Sequence, residues 1–410
     1  MSVDTWGGQV VAGDPASVDA WNAAWVEALH FVGDPFDTLT PAIEGDDAFA
    51  IGSVFCGTYR VLGGAPFDAP ELVADVERAA ARAAAPRERA HADALTLLAA
   101  GEFTAAAHRW DEISRASRDF AAVRFAHDVY LHIGNAPDRL ESSTRAMEVF
   151  DDAPGWNLVA SQHAFALEES GHFDEAEAVA WAALDADPLD LWATHALAHV
   201  YESVNDQDAA VDLLRSREST WSKQDGLAVH IWWHLALRLI AAGDHDEVLA
   251  IHDRLVPAAQ TPFRLCDLTS LLWRLELAGV DVGDRWGHLA DAFAARPERH
   301  TCGFLDLHQA LVYARQPDHP SGQAFHTGVD ALDRRVGSEN DDTFRSVVRP
   351  LIRAIRLGEV DPASAAAALD RLQPVLHRIG GSNAQRDIID LTRRHFHPRP
   401  DEPTTVPETT

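Results

Sequence analysis

Two pairs of histidines at helical spacing are the residues of this chain best placed to do chemistry. His195 and His199 are four residues apart with Glu202 one turn later, and His230 and His234 repeat the spacing. Residues four apart lie on one face of an α-helix, so each pair presents two imidazoles in one direction. Imidazole with carboxylate suits a divalent transition metal such as Fe, Mn, Zn or Cu. The chemistry predicted is therefore either metal-dependent, oxidative or hydrolytic, with these residues as ligands, or acid–base catalysis by the same residues.

Spacing alone does not establish a metal site. The chain has 21 histidines among 410 residues, and random placement of that many would supply about one pair four residues apart. The alternative is that these histidines are packing residues of a helical scaffold. The position of the pairs within the fold has to distinguish the two hypotheses.

The elements that would position the histidines come from a repeat. Short turns follow apolar helical stretches at intervals of 33, 37, 34 and 38 residues, and they are centred on Gly101, Gly134, Gly171, Asn205 and Gly243. A period near 34 with a turn between two helices is typical of tetratricopeptide repeats, and Gly or Asn at the turn suits a left-handed helix C-cap. The sequence therefore predicts an all-α fold, a tetratricopeptide-like α-solenoid that forms a right-handed superhelix of helix–turn–helix repeats.

The chain divides into four parts by this pattern. Residues 1–86 form an N-terminal helical cap, with amphipathic segments near 17–32, 45–63 and 70–84. Residues 87–260 hold the regular repeats, and residues 261–397 continue as C-terminal helical repeats with weaker periodicity. The Pro/Thr/Glu-rich tail at 398–410 is predicted to be disordered.

The repeat frame turns the histidines toward the concave groove, which the first helix of each unit lines. The inward positions lie about three, six and ten residues before the turn. Counted back from Asn205, they are Glu202 and both members of the first histidine pair. Counted back from Gly243, the second pair lies at the groove and its edge. Neighbouring first helices pack roughly 8–10 Å apart, so we expect the two pairs to converge.

Further polar residues are predicted to assist. Arg124 and Asp128 lie on the same stripe in the unit that ends at Gly134, and Asp306 and His308 form another acid–imidazole pair on a later helix. We expect Asp128, Asp306 and His308 to support the ligands or transfer protons as catalytic residues. Arg124 is expected to bind an anion.

A second constellation lies near the C-terminus. Ser382 and Gln385, preceded by two glycines, form a capping box at a helix start. The backbone N–H groups there also suit a carboxylate or phosphate, which predicts an anion or substrate site at Ser382, Asn383 and Arg386. A purely structural helix cap remains the alternative.

Composition excludes other classes of function. The formal net charge is −30, which disfavours binding to nucleic acid or to an anionic membrane. No apolar run approaches the roughly 18 residues of a membrane span, and the N-terminus lacks the features of a signal peptide. With three scattered cysteines, no disulfide framework is predicted. The chain is expected to be cytoplasmic, and its partner to be a small molecule or a peptide in the concave groove.

Several stretches resemble a known family. They are 125–130 (FAHDVY), 171–177 (GHFDEAE), 194–202 (THALAHVYE), 230–238 (HIWWHLALR), 280–286 (VDVGDRW) and 380–387 (GGSNAQRD). From about Trp6 to Arg394 the chain is similar to the tetratricopeptide repeat protein 38 family, which includes bacterial StaR-like proteins. The resemblance implies a curved α-solenoid. It implies no settled activity, although some bacterial relatives are associated with antibiotic biosynthesis, where an oxidative role has been considered.

Two functions follow as hypotheses. The first is a metal-dependent enzyme that acts on a small molecule in a pocket lined with histidine and carboxylate. The second is a non-catalytic scaffold that binds a peptide or protein in its groove. Peptide-binding arrays usually carry Lys, Arg and Asn clamps, whereas this groove is rich in His, Trp and carboxylate, which favours the pocket.

Overall fold

The computed structural model describes residues 2–222, 227–259, 261–295, 300–332 and 337–397. The predicted disordered tail at 398–410 lies outside these residues. The described chain is almost entirely helical, as predicted, apart from a short antiparallel pairing of β1 (Ser2–Val3) with β2 (Gln9–Val10). None of its helices is both long enough and apolar enough to cross a bilayer.

The N-terminal part contains four helices rather than the three segments predicted. They are α1 (Pro15–His30), α2 (Pro35–Gly45), α3 (Ala50–Leu62) and α4 (Pro70–Arg82). Helix α2 was not predicted, because Asp34 followed by proline resembles a turn. Asp34 instead caps the helix by accepting from the backbone N–H groups of Phe36 and Asp37, and proline takes the first helical position.

The central part is built from helix hairpins with the predicted period. Its helices are α5 (Pro86–Ala99), α6 (Phe103–Ala116), α7 (Phe120–His132), α8 (Ala136–Val149), α9 (Trp156–Glu169), α10 (Phe173–Ala186), α11 (Leu191–Ser203), α12 (Gln207–Ser216), the short α13 (Glu218–Trp221), α14 (Ala228–Ala242) and α15 (His245–Leu255). All five predicted turn residues have positive φ, including Asn205 at 58°. The left-handed turns that define the repeat are confirmed.

The C-terminal part continues as packed helices. They are α16 (Pro262–Leu277), α17 (Arg285–Ala294), α18 (Gly303–Arg315), α19 (Pro320–Ala331), α20 (Glu339–Thr343), α21 (Arg349–Gly358), α22 (Pro362–Leu372) and α23 (Asn383–Phe396). A π-helical turn (Phe344–Val348) joins α20 to α21, and short 3₁₀ helices follow α15 (Val256–Ala258) and α22 (Gln373–Ile379).

The C-terminal part returns to contact the earlier helices. The carboxylate of Glu339 accepts hydrogen bonds from the backbone N and the Oγ1 of Thr104, at 2.7 and 2.6 Å. The Thr301 hydroxyl donates to the carbonyl oxygen of Gly64 at 3.1 Å. These residues are more than two hundred positions apart in sequence, so the solenoid closes on itself instead of ending in an open array.

One stretch makes the closest of these contacts. We call residues 373–386 the closing segment; it holds the second 3₁₀ helix and the first turn of α23. A Cβ added at Gly134 would collide with the carbonyl oxygen of His377, and one added at Gly380 would collide with that of His132. Both glycines also have positive φ. The closing segment therefore seats backbone against backbone on the C-terminal end of α7.

The first helices of the central hairpins are consequently buried on nearly every side. All residues of α9 over 159–169 and of α11 over 191–200 are buried. A helix that faced an open groove would expose one stripe, whereas a helix buried all round lies inside the protein. The predicted concave groove is thus an interior region.

Candidate metal centre

The two histidine pairs meet inside this region. His195 and His199 lie on α11, His230 and His234 lie on α14, and one ring nitrogen of each lies within 4.8 Å of the other three. The His195 Nε2 atom is 3.1 Å from the Nε2 atoms of both His199 and His230. The structure therefore brings together the residues that the repeat frame predicts to converge.

These separations match those of nitrogens bound to one ion. Ligand nitrogens about 2.1 Å from a metal are about 3.0 Å apart at a right angle and about 3.4 Å apart at the tetrahedral angle. The observed 3.1 Å falls between the two. In addition, the buried His234 Nε2 atom has no hydrogen-bond partner in the described part of the chain. The donor set and its geometry fit a transition-metal ion.

Three of the imidazoles have a carboxylate at Nδ1. The nitrogen–oxygen distances are 3.4 Å for His199 and Glu168, 3.0 Å for His230 and Asp267, and 3.3 Å for His234 and Glu202. Carboxylates at this position fix the tautomer, because Nδ1 carries the proton and the Nε2 lone pair is left to bind a metal. Such partners are the usual support of histidine ligands.

Glu202, which is predicted as a ligand, occupies one of these supporting positions. Its carboxylate lies between His234 Nδ1 and the guanidinium of Arg238, each at 3.3 Å. It follows His195 by seven residues, which is nearly two turns of helix or roughly 10 Å along the axis. That displacement carries the carboxylate past the group of nitrogens, to the outer side of the neighbouring ring.

Burial sets the protonation of the histidines. It lowers the pKa of His195 and His234 well below the usual range, and the neighbouring imidazoles lower the pKa of His195 further. Burial is the largest influence on His199 and acts to lower its pKa, but the carboxylates of Glu168, Glu169 and Glu202 together outweigh it and the pKa is raised. Neutral imidazole is the form that binds metals, so the environment of His195 and His234 favours that form.

A second acidic group lies directly behind the histidines. Oxygens of Glu168 and Glu169 and a nitrogen of His199 lie within 4.8 Å of one another. The guanidiniums of Arg139 and Arg386 each lie 3.7 Å from Glu169. Two arginines already balance these carboxylates, so this group is an ion-pair network rather than a second metal site.

The same network docks the closing segment. The Glu169 carboxylate accepts from the backbone N of Asn383 at 2.7 Å, and the Asn383 amide donates to the Glu169 carbonyl at 3.1 Å. Arg386 donates to Asn383 and to the carbonyl of Gly381. The anion at this helix start is thus Glu169 of the same chain. Of the three residues predicted to bind an anion here, only Ser382 lines a cavity.

That cavity, of about 350 Å³, adjoins the histidines. Its apolar wall is largely aromatic and includes Phe31, Tyr59, Phe165, Trp192, Phe263 and Phe304. Its polar lining includes Arg124, Asp128, His195, His230, Asp267 and Ser382. Two of the four histidines therefore face the cavity, whereas the other two lie deeper.

Arg124 and Asp128 sit at the aromatic wall. The Arg124 Nε donates to Asp128 Oδ2 at 2.8 Å, and the Tyr59 hydroxyl donates to the same oxygen at 3.0 Å. The guanidinium lies over Trp192, with its carbon 4.5 Å from the ring centroid. Trp192 in turn packs edge to face against His195, with 5.4 Å between ring centroids. The predicted anion-binding residue is thus connected to the histidines through one tryptophan.

Asp306 and His308 are not brought to this cavity. Asp306 contacts the imidazole of His300, and His308 Nδ1 contacts the carbonyl of Phe304. Residues two apart project about 200° from each other around a helix, so they do not act on one point. Burial lowers the pKa of His308 to about 4. Both residues are buried, and neither lines the cavity, although His308 packs behind its wall residue Phe304 with 4.4 Å between ring centroids.

Two functional residues were missed in the sequence. Glu168 carries a signal, because it lies three residues before Gly171, just as Glu202 lies three residues before Asn205. Asp267 lies on α16, where the repeat pattern is weak. Its pairing with a histidine 37 residues earlier has no local signature.

Comparison with known proteins adds little to this geometry. No family model matches the chain. Among solved structures it is similar to a Rap protein complexed with Competence and Sporulation Factor, at 12% identity over 81% of this chain and 99% of that chain, with a TM-score of 0.47. It is also similar to a tetratricopeptide repeat protein from Parabacteroides merdae, at 13% identity over 66% and 97%, with a TM-score of 0.36. The fold assignment rests on the helices described above.

Proposed function

We propose that this protein binds one divalent transition-metal ion through the Nε2 atoms of His195, His199, His230 and His234, and binds a small molecule beside it. The observation that carries the proposal is the combination of converging Nε2 atoms with carboxylates at three of the Nδ1 atoms. Packing alone does not require both features, because the carboxylates satisfy the Nδ1 donors but nothing in packing requires the Nε2 lone pairs to face one another.

The donor set narrows the choice of ion. Imidazole suits Zn, Cu, Fe and Ni, whereas Mn prefers carboxylate and water. The sequence predicts Fe, Mn, Zn or Cu, but the structure puts the carboxylates at Nδ1 instead of at the centre. Fe and Zn are therefore better candidates than Mn.

The cavity beside the histidines supports a second part of the proposal, which is that the protein is an enzyme. His195 and His230 line it, so an ion that takes a further ligand besides the four imidazoles would receive it from the cavity, and such an open position is what a catalytic metal site keeps. The chemistry such an ion supplies is oxidative or hydrolytic, as the sequence predicts. The resemblance to the tetratricopeptide repeat protein 38 family, with relatives associated with antibiotic biosynthesis, agrees with a small-molecule role.

The form of the interior supports a small molecule over a peptide. An extended peptide needs an open face along several first helices. Here α9 and α11 are buried along most of their lengths, and Ser382 of the closing segment lines the cavity. The space that remains suits a compact ligand, so the scaffold hypothesis is the weaker of the two.

Elemental analysis of protein purified without a histidine tag tests the proposal. We expect about one equivalent of metal per chain, lost in the His195→Ala/His199→Ala variant. His252→Ala is the matched control, since His252 is equally buried and also has a carboxylate at Nδ1, 3.4 Å away, but lies on α15 outside the cluster.

A spectroscopic measurement on the wild-type protein tests metal binding without relying on a variant that could lose metal by unfolding. Wild-type protein freed of metal and titrated with Co(II) should develop visible absorption that saturates at one equivalent, without any substitution being needed. A free metal concentration of 100 times the Kd should also raise the free energy of unfolding by roughly 2.7 kcal/mol. Metal content equal in the wild type and both variants, with no saturable Co(II) spectrum, would remove the metal proposal.

A further inference from the structure

We propose that the ligand of the cavity is a small monocarboxylate with an aromatic body, whose carboxylate is bound by Arg124. This inference rests on the proposed function, because it names the class of molecule that would sit beside the metal ion. Three observations carry the inference: the hydrogen bonding of the Arg124 guanidinium, the aromatic wall on which the guanidinium lies, and the distance between the guanidinium and the histidines.

The Arg124 side chain is held in place, but not all of its hydrogen-bond donors have an acceptor among the described residues. It is buried, with 6% of its surface exposed, and its Nε is bound to Asp128. Within the described residues, its buried NH1 has no hydrogen-bond acceptor. A buried donor without a partner loses the hydrogen bond that water would give it and is therefore destabilising. A ligand carboxylate would supply the missing acceptor in a charge-assisted hydrogen bond.

Asp128 acts as the positioning residue for this guanidinium. One of its oxygens, Oδ2, accepts both from Arg124 and from the Tyr59 hydroxyl. It thereby fixes the edge of the guanidinium that carries Nε and leaves the remaining N–H groups for a ligand. The N–H groups of a guanidinium edge match the two oxygens of a carboxylate.

The aromatic wall determines the body of the ligand. The guanidinium lies on Trp192, which packs against Phe31 and Phe165 at 6.0 and 6.1 Å between centroids. A planar apolar ring is the group that such a wall binds best. A volume of about 350 Å³ lies at the small end of ligand pockets, which suits a compact ligand.

The distances place the far end of such a ligand at the metal centre. The guanidinium carbon is 4.5 Å from the Trp192 ring centroid, which is 5.4 Å from that of His195. The guanidinium is therefore no more than about 10 Å from the imidazole. One aromatic ring with a short side chain spans such a gap.

Calorimetric titration with matched probes tests the inference. Benzoate, phenylacetate and 3-phenylpropionate would be compared with their neutral amides, which have nearly the same shape. The protein would be used metal-loaded and after treatment with a chelator. We expect at least one carboxylate to bind, with its amide at least about tenfold weaker, because hydrogen bonds to charged groups contribute more than neutral ones.

Substitution of the arginine provides the second arm. Arg124→Gln should weaken the bound carboxylate by roughly 10- to 100-fold and leave its amide unaffected. Arg254→Gln is the matched control, because Arg254 lies over Trp232 at 3.8 Å from the ring centroid but does not line the cavity. The Co(II) spectrum of each variant checks that the four histidines are still assembled.

The outcomes separate this inference from the proposed function. Equal binding of acids and amides, or no binding of any carboxylate by protein that holds its metal, would overturn the ligand class and leave the metal site intact. Carboxylate binding that depends on Arg124 but is the same with and without metal supports the ligand class. Equal binding with and without metal would, however, count against direct contact between the ligand and the ion.

Discussion

Replacing Asp267 by asparagine should weaken metal binding without removing it. Asp267 Oδ1 lies 3.0 Å from the Nδ1 of His230, the shortest of the three carboxylate contacts, and 7% of the Asp267 side chain is exposed. Solvent therefore screens the pair little. Asparagine keeps a neutral acceptor at the same place, so the imidazole of His230 would keep its tautomer. It would no longer have a negatively charged partner, which is what makes the imidazole a stronger ligand.

The size of the effect follows from this geometry. Loss of the partner of a histidine ligand typically costs 10- to 100-fold in metal affinity, and asparagine retains part of the hydrogen bond. We expect about a tenfold rise in the Kd for the metal, equivalent to about 1.4 kcal/mol. Glu168→Gln should have a smaller effect, because its oxygen lies 3.4 Å from the Nδ1 of His199.

Competition with a chromophoric chelator measures these affinities. Asp253→Asn is the control, since it alters a carboxylate at 3.4 Å from the Nδ1 of His252, outside the cluster. The effect of Asp267→Asn should also disappear in a His230→Ala background, because the two act as one unit. An equal loss of affinity in that background, or no loss in the single variant, would refute the role given to Asp267.

Two further predictions concern the fold around the site. Asp119→Asn should lower the free energy of unfolding near neutral pH by about 3 kcal/mol, because it leaves the Arg87 guanidinium, with 14% of the side chain exposed, without its buried carboxylate. Burial would raise the pKa of Asp119, but Arg87 and His91 hold it well below its usual range. The stabilisation is therefore lost as Asp119 becomes protonated, so urea unfolding should show the difference in free energy of unfolding between wild type and variant shrinking as the pH falls below about 4. A difference that stays constant with pH would contradict this. Asn383→Ala removes a hydrogen bond of 3.1 Å to Glu169, worth about 1 kcal/mol. Hydrogen exchange should accelerate in the closing segment more than elsewhere, and a uniform change would exclude this docking role.

The local features of the fold could be predicted from the sequence because each depends on a few neighbouring residues. Asn205 takes the same left-handed turn as the glycines of the other hairpins, with φ of 58°. Asp190 and Asp206 cap α11 and α12 by accepting from backbone N–H groups three residues ahead. A turn and a cap at a repeated spacing are sufficient to place the first histidine pair on a helix that faces inward.

The closure of the solenoid could not be predicted in this way. The contact between Thr104 and Glu339 joins residues 235 positions apart, and it depends on the curvature that accumulates over all the hairpins between them. The same closure converts the predicted groove into a cavity, and it gives Asn383 and Arg386 to Glu169 rather than to a ligand. Asp267 reaches His230 only because α16 packs beside α14.

A purely structural role for the four histidines is hard to reconcile with how they are buried. His195, His199 and His234 are at most 3% exposed, and His234 Nε2 has no hydrogen-bond partner among the described residues. Each unsatisfied buried polar atom costs roughly 1–3 kcal/mol, whereas an apolar side chain of similar size would pack there at no such cost. Metal binding would use the His234 nitrogen and all three converging Nε2 atoms at once. The observed burial is therefore better explained by a ligand set than by packing.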